Sequence, residues 1–404
     1  MAASALLPVA EALKRVLDGA AALPAEEVAI GDAHGRVLAA PLASRRTQPP
    51  ADLASMDGYA ARAADLAKPA TLKLVGTSAA GRPFAGTLGS RETVRIFTGA
   101  LLPAGADTVI PQEDAKADGD RIALPAAKPG AYVRRKGLDF SEGQVLLSAG
   151  RRISARDIAL AAAMDYARVP VARRPRVALL ATGDELVPPG TGAGPDRTVA
   201  SNPLSLAALL RSEGAEMFDL GIVPDQLDAT ATAIKKARDS NFDVLVTLGG
   251  ASVGEHDLVA KALKAEGVAI DFHRVALRPG RPMLLGRAGS LRVLGLPGNP
   301  VSSFVCALLF LIPLLRKLQG RADFLPAPEP AVLGRPLPKN DHRQDYLRAK
   351  IERGADGRLV ASALDRQDSS MLAYLSGADG LLIREPHAPA ASAGAPCQVI
   401  RFAD

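Results

Sequence analysis

The chain has 404 residues, too many for one ordinary core, and 48% of them are hydrophobic, which excludes a disordered chain. Its formal net charge is +6, yet it has no tryptophan and only 4% aromatic residues, so the stacking platforms of a single-strand nucleic-acid binder are missing. The basic groups are short and scattered (Arg134–Arg135–Lys136, Arg173–Arg174–Arg176, Arg274–Arg278–Arg281), which fits a small anionic ligand better than nucleic acid.

Near the N-terminus, Leu13, Val16 and Leu17 recur at helical spacing, with Glu11 and Lys14 between them, so the segment predicts an amphipathic helix and not a signal peptide. Short polar–apolar alternation then runs to the breaker pair Pro49–Pro50. From 51 to 139 the period is mainly two, as in Thr71–Leu74 and Thr93–Phe97, with Gly and Pro throughout, predicting a small β domain. Gly143–Ala155 is extended and Asp157–Met164 helical, which returns the chain to its first segment and makes residues 51–139 an insertion. Residues 1–50 and 140–172 together hold little core, so they are expected to bury apolar surface against a partner in a homodimer.

From Arg176 onward strands and helices alternate. Strands are expected at Val177–Ala181, Met217–Ile222, Asp243–Leu248, Ala269–Ala276, Met283–Gly286 and Arg292–Leu296. Helices are expected from Asn202, over Leu227–Arg238, from Asp257, and over Pro300–Leu318. Asn202–Pro203 and Asn299–Pro300 each read as an N-cap followed by proline at the first helical position. The last helix should bury a face of Val301, Phe304, Val305, Leu308, Leu309 and Ile312. Alternation of this kind predicts a three-layer α/β domain, 173–322, with a mostly parallel sheet whose ligands bind beyond the strand C-termini. Its strongly apolar run, Phe304–Ile312, is shorter than the roughly 18 residues of a membrane span. The proline-rich stretch 321–338 is expected to be a linker, and 323–404 to form a C-terminal β domain. Two cysteines, Cys306 and Cys397, make neither a disulfide framework nor a zinc site and predict a reducing compartment, the cytoplasm.

The strand-end loops carry the chemistry. Thr182–Gly183–Asp184–Glu185–Leu186 offers adjacent carboxylates, able to hold Mg²⁺ or move a proton, although the same residues suit a simple turn. Gly249–Gly250–Ala251–Ser252–Val253–Gly254–Glu255–His256–Asp257 brings backbone N–H groups to a helix start, a cradle for phosphate or a structural turn. Pro297, Gly298, Asn299, Pro300 and Ser302 form a similar loop, which by itself need be no more than a helix cap. Arg274, Arg278 and Arg281 flank a rigid Pro-Gly turn and present planar forks suited to an oxyanion.

In chain order, SMDGYA (Ser55–Ala60), FTGALLPAGADTVIPQED (Phe97–Asp114), RRKGLDF (Arg134–Phe140), TGDEL, GGASVGEHD, RPGRP and GLPGNPVSS resemble the MoeA/gephyrin E-domain family across nearly the whole chain. The resemblance implies an elongated homodimer in which molybdate is transferred into adenylylated molybdopterin, with Mg²⁺ assisting and AMP released. It implies functional roles for Asp57, Thr98, Asp139, Glu185, Asp225 and Asp257, with Asp57, Glu185 and Asp257 as metal ligands, and a shared site in which N-terminal carboxylates serve the opposite protomer. It further implies substrate contacts at Thr182, Gly183, Gly249, Gly250, Ser252, Gly254, the three arginines, Arg343 and Ser369, and exchange with a molybdopterin adenylyltransferase and with molybdoenzymes. Lysines are common in the family where this chain has Arg274, Arg278 and Arg281, and Gln367–Asp368–Ser369–Ser370 replaces a Gln-Gly-Ser-His element. Two alternatives resemble this reading in part: a molybdopterin adenylyltransferase-like enzyme and a non-catalytic scaffold.

Overall fold

The computed structural model describes residues 6–249 and 258–402. Its central sheet has six strands in the order Glu216–Val223, Arg176–Thr182, Val244–Leu248, Leu291–Leu296, Pro282–Ala288, Ala269–Arg274. The first four run parallel, Pro282–Ala288 runs against them, and Ala269–Arg274 pairs antiparallel to it and so shares the direction of the first four. Val244–Leu248 is buried at every position because helices cover both faces of the sheet. Helices Leu227–Asp239 and Leu258–Ala265 close one face over Ala178, Leu180, Leu245 and Val293. Helices Asn202–Ser212 and Pro300–Leu318 close the other over Val177, Leu179, Val246 and Leu294. The expected three layers are present.

Three local expectations change. Helix Pro300–Leu318 is long and apolar enough to cross a membrane by length and composition, but it lies mostly buried inside the fold. It is buried almost all round, Phe310, Leu311, Leu314 and Leu315 included, while Phe304 and Leu308 of the expected inner face are only half-buried. Pro313 supplies no N–H and crowds the carbonyl of Leu309, and just ahead of it the helix widens into a π turn over Ala307–Leu311. The strand expected over Ala269–Ala276 stops at Arg274, and Leu277–Arg278 pairs instead with Gln344–Arg353 of the C-terminal domain.

The first helix, Val9–Leu17, also departs from the grouping expected of residues 1–50. It packs on the central domain, burying Val9, Ala12, Val16 and Leu17 in the same core as Leu314 and Leu318. Arg292 and Lys317 donate to its terminal carbonyls, at Val16 and Leu17. The segment after it forms a separate small core of Leu38, Leu42, Phe140, Leu147, Met164 and Val171, in which Ala25–Ala29 pairs with Arg168–Ala172. There the helix Ala155–Ala163 starts two residues before its expected position, because Ser154 and Asp157 close a capping box.

The inserted β sheet runs Thr108–Pro111, Gly58–Ala61, Glu92–Ile96, Ala70–Ser78, Arg121–Leu124, Lys116–Asp118, with one parallel pair, Ala70–Ser78 beside Glu92–Ile96. Gly58 is required there, since a Cβ would lie 1.9 Å from the Ile110 carbonyl oxygen. In the C-terminal domain, strands Gln344–Arg353, Leu359–Ala363, Glu329–Leu333, Pro396–Arg401 and Gly380–Arg384 pair in a closed ring around Leu333, Ala349, Leu382 and Val399. The stretch expected as a linker therefore contributes a strand: Ala331 and Leu333 alternate into the barrel interior.

Candidate functional site

Beyond the C-terminal ends of the parallel strands lies a crevice of ≈ 1000 Å³. Its floor is Ala181, Thr182 and Gly183 at the end of one strand and Leu248–Gly249 at the end of the next. Its walls are the Thr198–Pro203 segment and the Pro297–Pro300 loop, with Glu185, Asp225 and Pro282 at its rim. Parallel strands end their carbonyls on this side while the following helices begin there, which collects backbone donors and positive helix ends in one place.

Individual residues explain the shape. Gly249 has φ +91°, and a Cβ on it would lie 2.7 Å from the Thr182 carbonyl oxygen, so the two strand-end loops touch through glycine. A Cβ on Gly183 would lie 2.6 Å from the Glu185 carboxylate, which folds back over its own loop. The Oγ1 atoms of Thr182 and Thr247 are buried beneath these loops without a partner among the described residues. Asn202 and Asn299 do not cap their helices with their side chains. Ser201 takes the N-cap position of the first, and Asn202 donates from Nδ2 to the Gly298 carbonyl at 2.7 Å. Asn299 donates to the Ser369 hydroxyl at 2.9 Å, and the Val301 N–H donates to the Ser369 carbonyl at 3.0 Å. The Asn-Pro pairs tie three chain segments into one rim.

The acids form two groups. Asp184 accepts from the Asp225 N–H at 3.0 Å, which brings Asp184, Glu185 and Asp225 together. Desolvation, and then the charges of Asp184 and Glu185, push the Asp225 carboxyl above its ordinary range. Separately, in the β domain, Asp57 accepts from the Thr98 N–H at 2.7 Å and the Thr98 hydroxyl at 2.8 Å. Those two bonds, aided by the Arg95 charge, hold the Asp57 carboxyl below its ordinary range. Asp57, Thr98 and Asp139 do not line the crevice of their own chain. Gly250, Ser252, Gly254 and Asp257 lie outside the described residues. Among the described residues no three His, Cys, Asp or Glu side chains gather as a metal cluster; Asp57 lies in the β domain apart from Glu185, and Asp257, the third expected ligand, is outside those residues.

The arginines divide as well. Arg278 reaches Asp345, donates to Asn340 at 3.0 Å and pairs with Asp341 at 3.3 Å, at the junction with the C-terminal barrel. Arg343 pairs with Asp341 at 2.7 Å. Neither lines the crevice of its own chain, and both are held in ion pairs within the chain. Arg274 is half-buried and Arg281 exposed on the turn beside Pro282, at the crevice edge. Ser302 is buried inside its helix, away from the lining.

Sequence reading missed Asn202, Ser370 and Leu372 as lining residues, and Arg348 as their support. The repeated Asn-Pro grammar was a usable signal for Asn202. Ser370 ends the Gln367–Ser370 element that the resemblance had singled out, and it reaches the crevice from the far end of the chain. Arg348 is 1% exposed and donates to the carbonyls of Arg366 and Met371, both at 3.1 Å, while the Gln367 side chain accepts from its N–H. Within that loop Asp368 accepts from the Ser370 N–H and hydroxyl, so the acid that departs from the family pattern stabilises the turn.

Residues 7–164 match the model of the MoeA N-terminal region (domain I and II), 178–317 that of a probable molybdopterin binding domain, and 330–402 that of the MoeA C-terminal region (domain IV). A molybdopterin molybdenumtransferase of Nostoc sp. is 39% identical over 74% of this chain and 70% of its own length. One from Haemophilus influenzae is 32% identical over 91% of this chain and 92% of its own. Among solved structures, a molybdopterin biosynthesis MoeA protein from Pyrococcus horikosii superposes with a TM-score of 0.86 at 31% identity, covering 99% of this chain and 100% of that one. With its three regions matched in order and its fold shared from end to end, this chain belongs to the MoeA family.

Proposed function

We propose that the chain is a molybdenum insertase of molybdenum-cofactor biosynthesis, acting on adenylylated molybdopterin and molybdate. The crevice carries the reading: it is large enough for a pterin bearing a phosphoanhydride, and two helix starts, whose positive ends favour phosphate, border it beside three glycine-bearing loops. Water cleaves the phosphoanhydride and AMP leaves. The dithiolene sulfurs take molybdenum from molybdate, whose displaced oxygens leave as water. Thr182, Gly183, Gly249, Gly298 and Asn299 bind and orient the substrate in this reading, and Ser369 fixes Asn299.

Mg²⁺ fits the acids at the rim. The ion takes hard oxygen ligands, needs only one or two carboxylates besides substrate phosphate, and would relieve the repulsion that raises Asp225. Glu185 and Asp225 would hold it, and when bound it neutralises charge developing on the phosphates. Asp57 and Thr98 act, in this reading, on the crevice of a second copy in a homodimer. Exposed Met56, Phe97, Leu101 and Tyr132 around that pair support such a contact. The absence of disulfides between Cys306 and Cys397 accords with a cytoplasmic location.

Purified protein incubated with adenylylated molybdopterin, Mg²⁺ and molybdate should release AMP only when molybdate is present. ATP consumption without molybdate would instead assign adenylyl transfer, and absence of turnover with either substrate pair would leave a scaffold.

A further inference from the structure

On the opposite edge of the central sheet, where strands Val244–Leu248 and Leu291–Leu296 begin, lies a second cavity of ≈ 290 Å³. It is bounded by the segment that follows the first helix, by the Gly289–Ser290 turn, and by Arg287 and Arg292. The two guanidinium groups converge. Nη1 of Arg287 and Nη2 of Arg292 lie 3.6 and 3.7 Å from a single point, the position a Cβ on Gly19 would occupy.

Both arginines are fixed from behind by carbonyl oxygens. Arg292, 8% exposed, donates to the carbonyls of Val16 at 3.1 Å and Asp18 at 2.9 Å. Arg287 donates from Nη2 to the Arg15 carbonyl at 2.8 Å. These carbonyls end the helix Val9–Leu17 and carry only partial charge. The full charges nearby do not balance. Asp18 reaches Arg287 at 3.5 Å from a side chain that is 75% exposed, and Asp243 is taken by two bonds from Arg173 and one from the Arg176 N–H. Lys317 donates to the Leu17 carbonyl and adds a further positive charge beside the site. Burial, and then repulsion from Arg287, lowers the Arg292 pKa, in keeping with two cations held together without a shared buried acid. Rigid planar forks converging over a glycine are the donor geometry that recognises an oxyanion.

We propose that this cavity binds a tetrahedral oxyanion, with Arg287 and Arg292 donating to it above Gly19. Phosphate, sulfate and molybdate share the required shape and charge. The site goes beyond the insertase reading and uses none of its residues.

Isothermal titration of the full chain with phosphate, sulfate and molybdate separately tests it, since the chain has no tryptophan to report by fluorescence. Wild type should bind at a site that Arg287→Ala weakens at least tenfold and that Arg287→Lys retains in part. Gly19→Ala places a methyl at the convergence point and should weaken binding comparably. Gly119→Ala is the control: φ is +60° there as at Gly19, so the backbone strain is alike, but the residue lies in the inserted β domain and nothing lies within 4 Å of the added methyl. It should change affinity by less than about twofold. Molybdate also fits the crevice, so its titration should show two sites in wild type and one in Arg287→Ala. The three anions identify the preferred occupant. Superimposable titrations of wild type and Arg287→Ala with all three would overturn the proposal, as would Gly119→Ala weakening binding as much as Gly19→Ala. Thermal melts of each variant verify that the chain is folded at the titration temperature.

Discussion

Asp225 has a carboxyl raised above its ordinary range by desolvation and by Asp184 and Glu185, whereas Thr98 lowers that of Asp57. The two acids therefore contribute to stability with opposite signs. Folded Asp225 holds its proton more tightly than the unfolded chain does. Its contribution thus falls as pH rises from the ordinary carboxylate range through the raised value, and at neutral pH it is a cost. Asp57 contributes stability above the ordinary carboxylate range and loses it as pH falls through its lowered value. Asp225→Asn in metal-free buffer should raise the melting midpoint at pH 7 slightly, by about 1 °C at most because the side chain is exposed and screened, and flatten its fall with pH. The same variant should lose most molybdate-dependent AMP release. A lower midpoint, or full turnover, would remove Asp225 from the functional acids. Stability given up at a site in this way is expected where charge is gathered for a ligand.

The turn between Arg274 and Pro282 shows how an element changes the meaning of its residues. Arg278 and Arg281 look alike on the page, but Leu277–Arg278 is a strand of the barrel edge and Arg281 lies on the exposed turn. Asp345 is buried and its Oδ1 has no hydrogen-bond partner among the described residues, so Arg278 supplies its ion pair, with the Arg343 charge nearby. Arg278→Ala should destabilise by about 1–3 kcal/mol, the cost of leaving the buried Asp345 carboxylate without its bonded partner, since Arg278 itself is 43% exposed. Adding Asp345→Asn should recover part of that loss. Arg281→Ala should leave stability within about 0.5 kcal/mol of wild type and act only on anion affinity. Urea titrations of the three variants separate these outcomes. Equal stability losses for Arg278→Ala and Arg281→Ala would refute the division of roles.

Over the whole molecule, the acids of the β domain and the acids of the crevice belong to different domains of the chain. If the proposed homodimer joins them, Asp57→Asn and Glu185→Gln inactivate by removing groups from one composite site that two protomers build. Each variant alone should then be nearly inactive. Refolded or coexpressed together at equal amounts, they should recover about a quarter of wild-type AMP release, because half the dimers carry one intact site of two. Recovery absent in a mixture that sediments as a dimer would place Asp57 on its own protomer's site or outside catalysis.

The sequence by itself determined the alternation of strands and helices from Arg176, the inserted β domain and the loops that form the crevice. Those features rest on local grammar: apolar runs, Gly and Pro punctuation, and Asn-Pro helix starts, all of which act within a few residues. Glu185, Gly183, Gly249 and Asn299 were legible for that reason. Tertiary structure alone decided that Arg278 is held in ion pairs while Arg281 stays exposed, because the partners of Arg278, Asp341 and Asp345, lie some sixty residues away. It likewise moved the first helix onto the central domain, turned an expected linker into a barrel strand, and brought Ser370 into the crevice behind the buried Arg348. In each case the deciding partner is remote in sequence, and burial and charge pairing with remote partners leave no periodic trace in the chain.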